Sequence, residues 1–292
     1  MHRRDLLRGG AGLTAALTAS RNSFLNALDK AAKSSVNTKA IDRYRSQIGI
    51  QLYTLRNQIS ADVKGTIQAV ADAGYKQVEP YGFPNAETMI AEAKACGMAV
   101  NSSHFAWDSV VDPSRKDVPS FDSILDAAKS HGLTHLVIPY LQGEVRKTLD
   151  DYRKLSDRFN DAAAKAKKHG IQLAYHNHAF EFEPKKDGVC GYDVMIERFS
   201  KEMKFEVDVF WVEVGGRDAA GLVRELKGRI SQLHLKDLGE SVETPNYGGI
   251  PQEAFEELGD GKIAMAPILD AALAADVDHC HVEQDHSPHP IK

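Results

Sequence analysis

A single (β/α)8 barrel of the α/β class is the fold this sequence predicts, and three observations carry the prediction. Short apolar runs alternate regularly with longer amphipathic ones along most of the 292 residues. Glycine repeatedly closes a helical run just before an apolar one, as in DAGYKQVEPYG, ACGMAVNSSHF, SHGLTHLVIPYL and KHGIQLAYHNH; glycine accepts the left-handed backbone that ends a helix. No G-x-G-x-x-G or G-x-x-x-x-G-K-[ST] loop follows an early strand, as an open nucleotide-binding sheet would require.

In chain order the strands are expected at residues 47–53, 77–81, 99–104, 135–140, 172–178, 205–209, 231–236 and 279–284. Between them the helical runs are DVKGTIQAVADAG, AETMIAEAKACG, SFDSILDAAKSHG, KTLDDYRKLSDRFNDAAAKAKKHG, GYDVMIERFS, DAAGLVRELKGR and APILDAALAAD. Alternation of this kind implies parallel strands covered by helices, and a barrel of roughly 250 residues accommodates eight such units. Residues 1–45 read as a leader plus either a linker or an N-terminal helix, and residues 46–292 as one catalytic barrel. The basic start with Arg3-Arg4 before a Gly- and Ala-rich stretch resembles a twin-arginine export signal, so a periplasmic or exported location is expected. After the eighth strand the sequence HVEQDHSPHPIK leaves no room for an eighth covering helix. Cys96, Cys190 and Cys280 are widely spaced and odd in number, which predicts free thiols without chemistry.

With 36 Lys+Arg against 41 Asp+Glu the net charge is −5, which offers no handle for a phosphate backbone or an anionic membrane. No run reaches the roughly 18 apolar residues that cross a bilayer. Nucleic acid and membrane are therefore not expected partners, and a small molecule is.

Functional side chains of a parallel barrel gather at the C-terminal ends of its strands. Here those ends carry Glu79, His104, His176 with His178, Asp208, His234 with Lys236, and Glu283. Strand side chains alternate, so His176 and His178 face one way together, as do His234 and Lys236. A single histidine at a strand end is more often hydrogen-bonded structure than a ligand. Together these residues form a costly concentration of buried polar groups unless something binds them, and mixed imidazole and carboxylate donors suit Mn²⁺, Co²⁺, Fe²⁺ or Zn²⁺ better than Mg²⁺ or Ca²⁺.

The runs LAYHNHAFEF, FEVDVFWVEVGG, GRISQLHLKD and CHVEQD, with the opening IGIQLYTLR and the second strand VEPYG, resemble the sugar phosphate isomerase/epimerase family of xylose isomerase-like barrels, in particular its exported, inosose dehydratase-like branch. The resemblance runs from about Ile48 to Asp285. It implies one divalent metal at the barrel mouth and a sugar or polyol substrate. Position by position it places Asp208, His234 and Glu283 on metal-ligand positions. The fifth strand departs from the pattern: His176 stands where many relatives have a glutamate that is both ligand and base.

The chemistry expected is metal-assisted removal of a proton beside a carbonyl, with His178 or Glu283 as base and Lys236 steadying the developing oxyanion or donating a proton. Burial and a nearby cation are expected to tune His and Lys towards neutral pKa. Glu79 and His104 are expected to line the substrate side of the pocket, with Trp211 and Phe180 offering aromatic faces to a sugar ring; structural hydrogen bonding and core packing are the competing readings. Glu181 or Glu183 could contact a histidine from the same loop, or be solvated. His286 and His289 read as a Pro-broken surface tail, and the charged helix KTLDDYRKLSDRFNDAAAKAKKHG as a solvated face. A sugar isomerase or epimerase is the leading reading, with a lyase or dehydratase and a non-catalytic sugar-binding protein as alternatives. The related endonuclease IV, which works on DNA through three metals, fits poorly with the acidic charge and the few matched ligands. A homo-oligomer stays open: barrel relatives often pair across their mouths, but no residue here signals such an interface.

Overall fold

A computed structural model describes residues 38–287. The leader read at Arg3-Arg4 and His289 lie outside the described residues. Eight parallel strands form the barrel: β1 Gly49–Gln51, β2 Gln77–Glu79, β3 Ser102–His104, β4 His135–Ile138, β5 Gln172–His176, β6 Met203–Asp208, β7 Ile230–Leu235 and β8 His279–Val282. Their order in the sheet is 2-1-8-7-6-5-4-3. A parallel bridge from Gln77 to Ala99 closes the ring between β2 and β3, where Val78 N–H donates to Ala99 O at 3.0 Å.

Each predicted helical run forms, and its ends obey local chemistry. Asp62, Ser120 and Thr148 cap Val63–Asp72, Phe121–Ser130 and Leu149–Lys168 through their side-chain oxygens. Gly74, Gly97, Gly132 and Gly170 take positive φ where the helices hand over to strands, as the repeated Gly signal requires. Two short antiparallel ribbons, Pro184–Lys186 with Val189–Cys190 and Asp237–Leu238 with Phe255–Glu256, were not expected; they decorate the loops after β5 and β7.

The helix Thr38–Ser46 resolves the open reading of the N-terminal segment in part. It packs against Met265–Ala274; Tyr44 is buried and its OH donates to Val277 O at 3.2 Å, just ahead of β8. Among the described residues no helix follows β8, and none is long and apolar enough to cross a membrane. All three cysteines are free; Cys190 and Cys280 are buried and Cys96 is half-buried.

Alternation along the strands sorts the core. Phe205, Val207, Leu233, Leu235, Leu173 and Tyr175 are buried in the apolar shell between sheet and helices. The alternate residues Glu206, Asp208, Gln232, His234 and His176 meet one another inside the barrel. Barrel interiors are usually filled by branched apolar residues. Here the centre is polar and ionised, and every group in it needs a partner. Gly49 marks how tightly the floor is packed: a Cβ there would lie 2.5 Å from the His281 ring and 2.8 Å from Gln77.

Candidate metal centre and active site

At the C-terminal ends of the strands lies a cavity of about 560 Å³, within the range of small-molecule sites. Its inner wall is His104, His176, His178, Lys236, Glu283 and Asp285; its rim is Tyr53, Arg56, Tyr81, Trp107, Tyr140 and His286.

Backbone register brings the inner residues to one height. β6 pairs Asp208 with His234 of β7, and β7 pairs Leu235 with Val282 immediately before Glu283. Asn177 ties β5 to β6: its amide donates to Asp208 O at 3.2 Å and its Oδ1 accepts from Asp208 N–H at 3.0 Å. Asp208 Oδ1 caps the helix Val209–Val214 by accepting from Trp211 N–H at 3.1 Å, which leaves Oδ2 turned to the site. His176 Nε2 is 3.2 Å from that Oδ2, and His234 Nδ1 is 2.9 Å from Glu283 Oε2. Donor atoms of His176, Asp208, His234 and Glu283 all lie within 4.8 Å of one another, and all four residues are buried. His234 Nδ1 completes no hydrogen bond, whereas Glu283 Oε2 is paired with the Lys236 ammonium at 2.7 Å. A buried ring nitrogen left in that state, in a set of two imidazoles and two carboxylates, fits a divalent transition metal.

Lys236 is only 2% exposed, so it is no solvated helix-start residue. Its ammonium lies 3.0 Å from Asp208, 2.7 Å from Glu283 and 3.1 Å from Asp285. Burial opposes its charge, but Asp208, Asp285 and Glu283 hold its pKa well above the usual lysine value. The expectation that burial tunes this lysine towards neutrality is thereby corrected: three carboxylates outweigh desolvation. Burial likewise opposes the charge on Glu283, yet Lys236 and His234 keep its pKa well below the ordinary range. His178 behaves in the opposite way. Burial first, then the neighbouring His176 and Lys236, push its pKa well down, so the ring is neutral. Its Nδ1 has no hydrogen-bond partner.

His178 is held by aromatic packing. Phe180 stacks on it with centroids 5.3 Å apart and planes 6° from parallel; Trp211 is at 5.3 Å and Tyr140 meets it edge-on at 5.1 Å. Phe180 and Trp211 therefore brace a histidine and are absent from the cavity wall, where a sugar-stacking role had been expected. Trp211 also lies 5.7 Å from Lys236 Nζ. His104 lines the cavity, but Glu79 does not: it is fully buried one layer below, bonded to Gln51, Gln232 and His234. His286, read as part of a surface tail, lines the cavity and packs 5.5 Å from Phe255.

Glu181 is buried rather than solvated, and accepts from His178 N–H at 2.8 Å and from Tyr175 OH; Glu183 pairs with Lys185 at the surface. Burial raises the Glu181 pKa from 4.5 to about 8, against the lowering effect of those hydrogen bonds. Between those values the folded state holds a proton that the unfolded chain has lost, so stability is expected to fall as pH rises through the window and level off above it. Urea midpoints measured across that range should decline in the wild type and flatten in Glu181→Gln; equal slopes in both would show that Glu181 is ionised in the fold.

Sequence reading missed Glu206, Gln51, Gln232, Asp285 and the aromatic rim. Three of them carried a usable signal. Glu206, Gln232 and Asp285 each stand two residues from a singled-out position, so the alternation that paired His234 with Lys236 placed them on the same face.

The model of xylose isomerase-like TIM barrels matches residues 67–291. The chain belongs to that family. An inosose dehydratase of Clostridium perfringens is 25% identical over 139 residues, 45% of this chain and 46% of that protein, so the match spans about half the length of this curated relative. A sugar phosphate isomerase/epimerase structure from Parabacteroides distasonis superposes with a TM-score of 0.63 at 22% identity, covering 82% of this chain and 87% of that one. The structure of an IolI protein with a bound zinc atom gives 0.60 at 15% identity over 84% and 91% of the two chains. These structural likenesses show the barrel fold.

Proposed function

We propose that this protein is a metal-dependent sugar isomerase or epimerase that removes a carbon-bound proton next to a carbonyl. The observation that carries the reading is the convergence of His176, Asp208, His234 and Glu283, of which His176 and Glu283 line the cavity while Asp208 and His234 are fully buried against them. A divalent cation held by these four, with Mn²⁺, Co²⁺, Fe²⁺ or Zn²⁺ favoured over Mg²⁺ by the two imidazoles, supplies Lewis-acid polarisation of a substrate oxygen. The zinc of the IolI neighbour supports that choice of ion class.

The remaining roles fall to side chains around this cluster. His178 takes the proton: it lines the cavity, is neutral, and presents a ring nitrogen with no competing partner. Lys236 stays an ammonium and donates to the oxygen on which negative charge develops. Glu283, already held by Lys236 and flanked by His234, serves as ligand rather than base. His104 and the rim residues Tyr81, Trp107 and Tyr140 offer hydrogen bonds and ring faces to a sugar or cyclic polyol.

A second reading is elimination, favoured by the inosose dehydratase relative. One base with a cationic acid beside it suffices for loss of a β-hydroxyl or alkoxyl group, and His178 with Lys236 provides that combination. The Arg3-Arg4 leader supports export by the twin-arginine route, which carries proteins already folded and loaded.

The test is proton exchange. Protein loaded with Zn²⁺ or Mn²⁺ and incubated with keto-sugars in D₂O is expected to wash deuterium into the carbon beside the carbonyl, and chelation should abolish the exchange. An isomeric product supports isomerisation or epimerisation, whereas an unsaturated one assigns the protein to the lyases. Metal uptake without exchange on any keto-sugar would point to a sugar-binding protein and overturn the proposal.

A further inference from the structure

Beneath the four candidate ligands lies a second fully buried polar layer that the proposed chemistry does not use. Glu79 and Glu206 face His234 from below: His234 Nε2 is 2.7 Å from Glu79 Oε2 and 3.1 Å from Glu206 Oε1. Two amides anchor the Glu79 carboxylate, Gln51 Nε2 donating to Oε2 at 3.0 Å and Gln232 Nε2 to Oε1 at 2.8 Å. Gln232 also donates to Glu206 Oε1, and His104 Nε2 lies 3.0 Å from Glu206 Oε2.

We infer that Glu79, supported by Glu206, is a positioning residue that fixes the tautomer and ring orientation of His234, so that Nδ1 presents its lone pair to the metal. The inference rests on the metal site proposed above. Its logic is donor and acceptor bookkeeping. An ionised carboxylate only accepts, so a His234 nitrogen at 2.7 Å from Glu79 must carry a hydrogen. With Nε2 protonated, a neutral imidazole leaves its lone pair on Nδ1. That atom faces Glu283 Oε2 at 2.9 Å and Asp208 Oδ2 at 4.0 Å and makes no hydrogen bond. The Lys236 ammonium, 3.0 Å from Asp208 Oδ2 and 2.7 Å from Glu283 Oε2, offsets the two carboxylates, and the Nδ1 lone pair beside them is left for a metal. Carboxylate, imidazole and metal in line is the arrangement by which buried acids orient metal-bound histidines and raise their basicity. The amides of Gln51 and Gln232 do the same one step further out, holding the carboxylate still.

The test measures Zn²⁺ affinity by chelator competition on the wild type, Glu79→Gln and Glu79→Asp, with histidine ring tautomers read by two-bond ¹H–¹⁵N correlation spectra of the Zn²⁺-loaded proteins. Expected are one Zn²⁺ per chain, a His234 with Nε2 protonated and Nδ1 metal-bound, affinity about 10- to 100-fold weaker in Glu79→Gln, and partial recovery in Glu79→Asp. The spectra and the Glu79→Asp recovery separate positioning from a general loss of packing. Unchanged affinity in both variants, while the wild type binds metal, overturns this inference alone. Two Zn²⁺ per chain, with both His234 nitrogens metal-bound, overturns it in favour of a second ion held by Glu79, His104, Glu206 and His234. No uptake by the wild type overturns the metal site itself, and this inference with it.

Discussion

Asp208→Asn is expected to empty the metal centre while leaving the barrel folded. The asparagine oxygen still caps the helix Val209–Val214, a contact worth about 1 kcal/mol that alanine would forfeit. What disappears is the negative charge that faces His176 at 3.2 Å and Lys236 at 3.0 Å. Metal content per chain should drop from about one to near zero, and deuterium exchange should slow on the order of 10³-fold, as loss of several kcal/mol of Lewis-acid stabilisation requires. Elemental analysis beside circular dichroism checks both halves. Full metal content in a folded Asp208→Asn would remove Asp208 from the ligand set.

His178→Phe is expected to separate the base from the metal. Phenylalanine keeps the stack with Phe180 and Trp211 and removes only the ring nitrogens; the backbone bond to Glu181 is untouched. Metal uptake should match the wild type, and kcat for exchange should fall about 10²- to 10⁴-fold with KM little changed, the usual cost of losing a general base. A variant that exchanges at the wild-type rate would transfer the role to another group on the wall, with Glu283 the first to examine.

The two variants weigh different parts of the sequence reading. The candidate ligands were legible in two steps: the barrel rule and strand alternation bring His176, Asp208, His234 and Glu283 forward with the other strand-end residues, and the family resemblance assigns Asp208, His234 and Glu283 to ligand positions. Glu79 passed the same filters and was placed on the substrate wall, one layer too high. Phe180 and Trp211 were read as substrate platforms because an aromatic residue after a ligand looks the same in sequence whether it stacks on a sugar or on His178. His286 was set aside because the prolines of its neighbourhood signal a loop, and nothing local shows that the loop folds back over the cavity beside Phe255. Lys236 was misjudged in charge for a similar reason: its three carboxylates, Asp208, Glu283 and Asp285, all come from other strands and loops.

By itself the sequence determined the periodic features: eight strands, the helices and glycine caps between them, which face each strand residue takes, and hence the set of groups available for chemistry. Those follow from local backbone geometry, which a residue and its near neighbours control. The tertiary structure alone decided height and partnership. Strand register set Asp208 level with His234 and left Glu79 beneath it, and that register is the sum of contacts around the whole ring. Which buried charges neutralise one another, and therefore which nitrogen of His234 is left for a metal, depends on distances between strands far apart in the chain.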